Sequence, residues 1–236
     1  MTRQAVRGFI ARHFVPANMC LALVGGVTRD VIRRALGRAF PRGVHGVRSR
    51  PARARPRATG LVRLRRTDLA QAYVVRLIAA PPAPRAVLAL SLAVEVVGAD
   101  PDARLFQEIR ERLGLGYELG AGVEHGRDWA VAVLSASAAR DDERRLRETL
   151  DRTCREAAAG FSADELRRAR KKVRYRFARL ADSRLDRALA HASRAACDQP
   201  SLAVTERMIA RLRPAEVEAA WRRALAAPTL TAVLRG

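Results

Sequence analysis

Two side chains seven positions apart, Arg110 and Tyr117, have the types and spacing to grip a peptide. A guanidinium donates in a planar fork to carbonyls or carboxylates, and a phenol can donate to an oxygen whose negative charge grows during acyl transfer. The positions three and four away from Arg110 are Phe106, Gln107, Leu113 and Gly114, none of them acidic, whereas Glu108 and Arg112 stand at the favoured spacing to pair with each other. Arg110 is thereby left for a partner outside its own helix. The plainer reading of the same two residues is a helix-end cation stabilised by the helix dipole and a half-buried strand aromatic.

The elements that must position the pair can be read around it. Leu105, Phe106, Ile109 and Leu113 fall on one face at helical spacing, and Asp100-Pro101 offers a capping residue followed by proline at the first helical position. Gly114 predicts the helix stop, where a left-handed residue costs least. Tyr117 then opens a strand running to Val123, so the seven-residue step crosses the stop and the two groups can share one wall.

The stretch Arg104-Leu-Phe-Gln-Glu-Ile-Arg-Glu-Arg-Leu-Gly-Leu-Gly-Tyr117 resembles a segment of the insulinase/pitrilysin-type zinc metallopeptidases, a family that includes the processing peptidases of mitochondria. That segment, R-L-F-x-x-L-R-E-x-x-G-L-x-Y, carries a substrate-contacting Arg and Tyr. Phe14-Val-Pro-Ala-Asn-Met19 with Leu21 to Gly25 is similar to the family's link into its second, non-zinc domain. Ser162-Ala-Asp-Glu-Leu166 with Arg170-Lys171 is similar to its later T-x-E-E-L-x-x-x-K helix. The three anchors occur in the family's order along nearly the whole chain. Two departures stand out: residues 99 to 105 lack the serine that usually precedes the Arg-Leu of the motif, and Gly26 stands where the family often has Asp.

The family's zinc half carries H-x-x-E-H, whose histidines bind metal and whose glutamate acts as base. This chain has no such motif, since His13, His45, His125 and His191 are isolated, and it has no G-x-S-x-G elbow for serine chemistry. Glu118, Glu124 and His125 lie on opposite ends of one strand and do not converge as zinc ligands must. The resemblance therefore implies the non-catalytic, substrate-binding half of a two-component peptidase, with no cofactor and no metal ligand of its own and inactive alone. Zinc is expected on a partner subunit of the same family carrying H-x-x-E-H, in a hetero-oligomer. Carried over residue by residue, Arg110 would hold substrate backbone or a carboxylate and Tyr117 would stabilise the oxyanion. The other class of function is a structural or peptide-binding subunit without a peptidase role.

The 236 residues are enough for a sizeable core, and the chain reads as a single domain over 1–236. Its longest apolar stretch, Ala86 to Ala99, is interrupted by Ser91 and Glu95 and falls short of the roughly 20 residues a spanning helix needs. Cys20, Cys154 and Cys197 lie far apart without metal-ligand spacing, which predicts buried reduced thiols and a cytoplasmic setting. A net charge of +21 raises the question of nucleic acid, but the cations recur along almost every predicted helix instead of forming one patch, which argues against it. An acidic partner or peptide meeting a basic inner surface fits better.

Periodicity predicts helices over 2–13, 28–40, 85–97, 142–159, 162–180, 182–197, 202–212 and 215–226, with Val31, Ile32, Ala35, Leu36 and Phe40 as the buried stripe of the second. Strands are predicted over 19–24, 61–65, 72–78, 117–123, 129–137 and 229–234, the fourth and fifth joined as a hairpin. Residues 42–59 read as a flexible basic loop, rich in arginine with Gly43, Gly46, Pro51 and Pro56. Strands in clusters with long helices between and after them indicate α+β, a two-layer sandwich of a mostly antiparallel sheet with helices packed on one face. The sequence does not set the strand order.

Overall fold

The computed structural model describes residues 1–40, 46–47, 58–98 and 100–235. Of the basic loop expected at 42–59, residues 42–45 and 48–57 lie outside the described residues. Two compact units are described separately, Met1–Arg53 with Phe177–Leu202, and Ala54–Arg176 with Ala203–Gly236.

The larger unit is the α+β sandwich. Its strands β1 (Gly60–Arg65), β2 (Gln71–Ala80), β3 (Leu119–His125), β4 (Ala130–Ala139) and β5 (Thr229–Arg235) form one sheet in the order β1-β5-β2-β4-β3. The pairings of β2 with β4, β2 with β5 and β3 with β4 are antiparallel, and only the β1–β5 pairing at one edge is parallel. Alternation decides which face is covered. Val74 sits opposite Ala136 and Val233, Ile78 opposite Ala132, and all five are buried.

Helices α3 (Pro84–Val97), α5 (Glu143–Glu156) and α9 (Pro214–Ala226) cover that face. α3 is apolar nearly all round and so has to be interior, with Leu90, Leu92, Ala93 and Val97 almost fully enclosed. Trp221 of α9 is fully buried and donates its indole N–H to the Cys154 carbonyl of α5 at 3.1 Å, which satisfies its one polar atom. Arg76 of β2 also points into this layer, and its charge is met by Asp151 of α5. On the other face Tyr73, Val75 and Leu77 are half-buried.

The smaller unit is helical: α1 (Arg3–His13), α2 (Arg29–Ala39), α7 (Arg184–Ala196) and the last turn of α6 (Ala163–Arg179). Two expectations fail here. Residues 19–24 form no strand, since among the described residues no strand pairs with them, and Leu21 and Leu23 are exposed. The apolar stripe of α2 forms at the expected spacing but is not buried, with Val31 47% and Phe40 41% exposed, since a stripe is enclosed only where a second layer lies over it.

Candidate functional site

The motif segment begins at Ala103, whose extended backbone starts the helix, so Asp100-Pro101 forms the turn before it instead of the cap. The Asp100 carbonyl accepts from the Ala103 N–H at 2.8 Å, while its carboxylate pairs with Lys172 at 2.9 Å. One α-turn, α4 (Arg104–Phe106), passes into a π-helix over Gln107–Arg112. There Leu113 N–H reaches back five residues to the Glu108 carbonyl. A π-turn accommodates one extra residue, so the side chains after it are turned relative to an uninterrupted α-helix. Periodicity alone could not show this, because the apolar positions Leu105 and Ile109 are still both buried.

The start of the segment is clamped. Arg104 donates to both carboxylate oxygens of Glu165 at 2.7 and 2.9 Å and to the Gly160 carbonyl at 2.8 Å, and it lies over the Phe161 ring at 5.3 Å. Glu165 also closes the capping box that opens α6, accepting from Ser162 N–H at 2.7 Å while the Ser162 hydroxyl accepts from Glu165 N–H at 3.2 Å. The Arg104 guanidinium, helped by Ser162, holds the Glu165 carboxyl down at about 2.

The end of the segment is pinned by its glycines. Gly114 and Gly116 have φ of +62° and +83°, and a Cβ on Gly116 would stand 2.9 Å from Cγ2 of the fully buried Ile109. Leu115 N–H donates to the Ile109 carbonyl at 2.8 Å. The chain then meets β4 through a bulge. Tyr117 N–H donates to the Ser137 carbonyl, Ser137 N–H to the Glu118 carbonyl, and Glu118 N–H to the Ser137 hydroxyl. Regular pairing starts at Leu119, so Tyr117 stands just before β3 and not inside the strand expected from 117.

Arg110 and Tyr117 line one open pocket of about 510 Å³, together with Phe106, Glu118 and Leu119. Among the described residues the Arg110 guanidinium forms no ion pair; one of its N–H groups donates to the Gly116 carbonyl, which fixes its direction and leaves other donors for a ligand. The expected Glu108–Arg112 pair forms at 2.5 Å, with Arg152 also 3.3 Å from Glu108. Tyr117 is 65% exposed, so its hydroxyl is accessible. The sequence reading had not placed Gly116, Ser137 or Glu118 at the site. A backbone carbonyl acceptor, a bulge and an acid beside the tyrosine leave no periodic signature.

Among the described residues no three His, Cys, Asp or Glu side chains come together in a way that could hold a metal ion. Also among them, no helix is long and apolar enough to cross a membrane.

A family model described as the peptidase M16 inactive domain matches residues 1–173. An uncharacterized zinc protease of Mycobacterium leprae is 29% identical over 129 residues, which is 52% of this chain and 29% of that protein. The structure is similar over its full length to a protease from Helicobacter pylori, with a TM-score of 0.83 at 12% identity and 59% of that chain covered. It is likewise similar to a peptidase M16 inactive domain from Pseudomonas fluorescens, with a TM-score of 0.79 at 17% identity and 58% of that chain covered. At such identities the structures speak for the fold. The chain spans under a third of the length of the curated relative and somewhat over half of these two solved chains.

Proposed function

From the premise that this chain belongs to the peptidase M16 inactive-domain family, we propose that it is the substrate-gripping half of a two-component zinc peptidase, whose metal resides on a partner subunit with H-x-x-E-H. The observation that carries the reading is the single pocket lined by both Arg110 and Tyr117. Arg110 holds a backbone carbonyl or carboxylate of a peptide with the N–H groups not given to Gly116. Tyr117 donates its phenolic hydrogen to the carbonyl oxygen that gains charge as the peptide bond is attacked. On this reading the Lewis-acid chemistry of that attack is the contribution of the partner that carries H-x-x-E-H.

The sheet supports the same reading. β3 is an edge strand, so backbone groups on its outer side can pair with an extended chain lying beside the pocket.

Mixing the chain with its zinc-bearing partner and zinc should give peptide cleavage that neither gives alone. Arg110→Ala or Tyr117→Phe should lower the turnover by roughly 10²-fold, the scale of a lost oxyanion donor. Unchanged turnover in both variants would reduce the pair to scaffolding. Stoichiometric zinc and unaided hydrolysis by the purified chain would refute the division of labour altogether.

A further inference from the structure

We infer that Glu118 makes this pocket selective for peptides that carry a cationic side chain next to the residue held by Arg110 and Tyr117. The inference rests on the substrate-gripping role and names the class of substrate.

Acids in this chain are outnumbered, 24 against 45 Lys and Arg, and several around the motif are paired. Asp102 meets Lys172 and Arg168, Glu108 meets Arg112 and Arg152, and Glu165 meets Arg104. Glu111, exposed on the motif helix, has no ion pair among the described residues either, but of the two only Glu118 lines the pocket. It is exposed and lines the pocket, its backbone is fixed on both sides by Ser137, and its carboxylate has neither an ion pair nor a hydrogen bond among the described residues. Arg110 lines the same pocket, yet the two opposite charges do not pair with each other, because Arg110 is turned to the Gly116 carbonyl. Each therefore stays available for its own ligand group: the cation for a backbone oxygen or carboxylate, the anion for an ammonium or guanidinium.

The strand that follows leaves room for the peptide. Residues two apart along β3 share a face, so Gly120, Gly122 and Glu124 form one lane that begins two residues after Glu118. A Cβ on Gly122 would meet nothing within 4 Å, and one on Gly120 would stand 2.6 Å from the Ser135 hydroxyl. Ser135 of the neighbouring strand therefore fills the space over Gly120, and the lane is open at Gly122, where an extended chain meets no side chain of β3. Glu124, also exposed, lies in the same lane at its far end.

The test uses the full chain and three fluorescein-labelled peptides of equal length and extended, Thr- and Val-rich sequence, identical except for one central Lys, Gln or Glu. Fluorescence anisotropy should give roughly fivefold tighter binding of the Lys than of the Glu peptide at low salt, the upper range for an exposed charge pair, and the ratio should shrink as salt is added. Glu118→Gln should bring the ratio close to one, and Glu118→Lys should reverse it. A ratio that survives both substitutions overturns the selectivity, as does the absence of binding of all three peptides. Arg110→Ala separates the two claims. If it weakens all three peptides while the ratio ignores Glu118, only the selectivity fails; if it weakens none, the gripping role fails with it.

Discussion

At the scale of single residues, environment separates groups that the sequence presents alike. The three cysteines read as equivalent buried thiols, yet Cys20 is exposed, Cys197 is half-buried and Cys154 is fully enclosed. Burial pushes the Cys154 thiol up to about 12, so almost no thiolate forms there at neutral pH, and thiolate is the reactive species. A thiol-specific chromogenic reagent should therefore titrate Cys20 first and Cys197 more slowly, while Cys154 reacts only in denaturant. Rapid labelling of all three in the native chain would mean that the α5 core opens readily. The same contrast governs the site. Arg110 without an acidic neighbour was legible from spacing alone, as was the Glu108–Arg112 pair. The acceptor Arg110 found instead, the Gly116 carbonyl, depends on a backbone at φ +83° that no side-chain pattern encodes.

At the scale of elements, the motif helix is held by its neighbours more than by its own propensity. It has one α-turn before the π-helix and no side-chain cap, so the Arg104–Glu165 clamp to α6 carries its position. Glu165 has its carboxyl lowered from 4.5 to about 2, chiefly by Arg104. A carboxyl depressed in the folded state adds stability that is complete above the unfolded value and disappears as pH falls through the folded one. The clamp's contribution should thus be full above about pH 5 and fade between 4.5 and 2. Urea titrations of the chain and of Glu165→Gln should differ by about 1–3 kcal/mol at neutral pH, a gap that narrows by about pH 3. A gap independent of pH would show that packing, not charge, holds the two helices together. Where elements draw on local periodicity the sequence foretold them: α3, the β3–β4 hairpin and the capping box of α6 all stand within a few residues of expectation. Residues 19–24 did not become a strand, and β1 pairs parallel to β5, because ladders depend on which strands meet and not on the strand itself.

At the scale of the whole molecule, the fold class was legible because alternating strands and apolar helices have few ways to bury each other, whereas strand order and the division into two units depend on contacts between distant segments. Charge acts at this scale too. A chain at +21 repels partners of like sign at long range, whereas an acidic surface on a docking subunit would accelerate encounter before any contact forms. On the proposed function the global field and the local acid would have different tasks: the arginines would draw in an acidic partner, while Glu118 would sort the peptides that reach the pocket. The two effects separate by range. Long-range steering is screened within about 10 Å at 0.1 M salt, so the association rate with the zinc-bearing partner should fall on the order of tenfold as salt rises from about 0.05 to 0.5 M. The dissociation rate, set by short-range packing, should change far less. Stopped-flow mixing of labelled subunits measures both rates. An association rate indifferent to salt would mean that the arginine excess plays no part in assembly, and the basic surface would then need another explanation than an acidic partner.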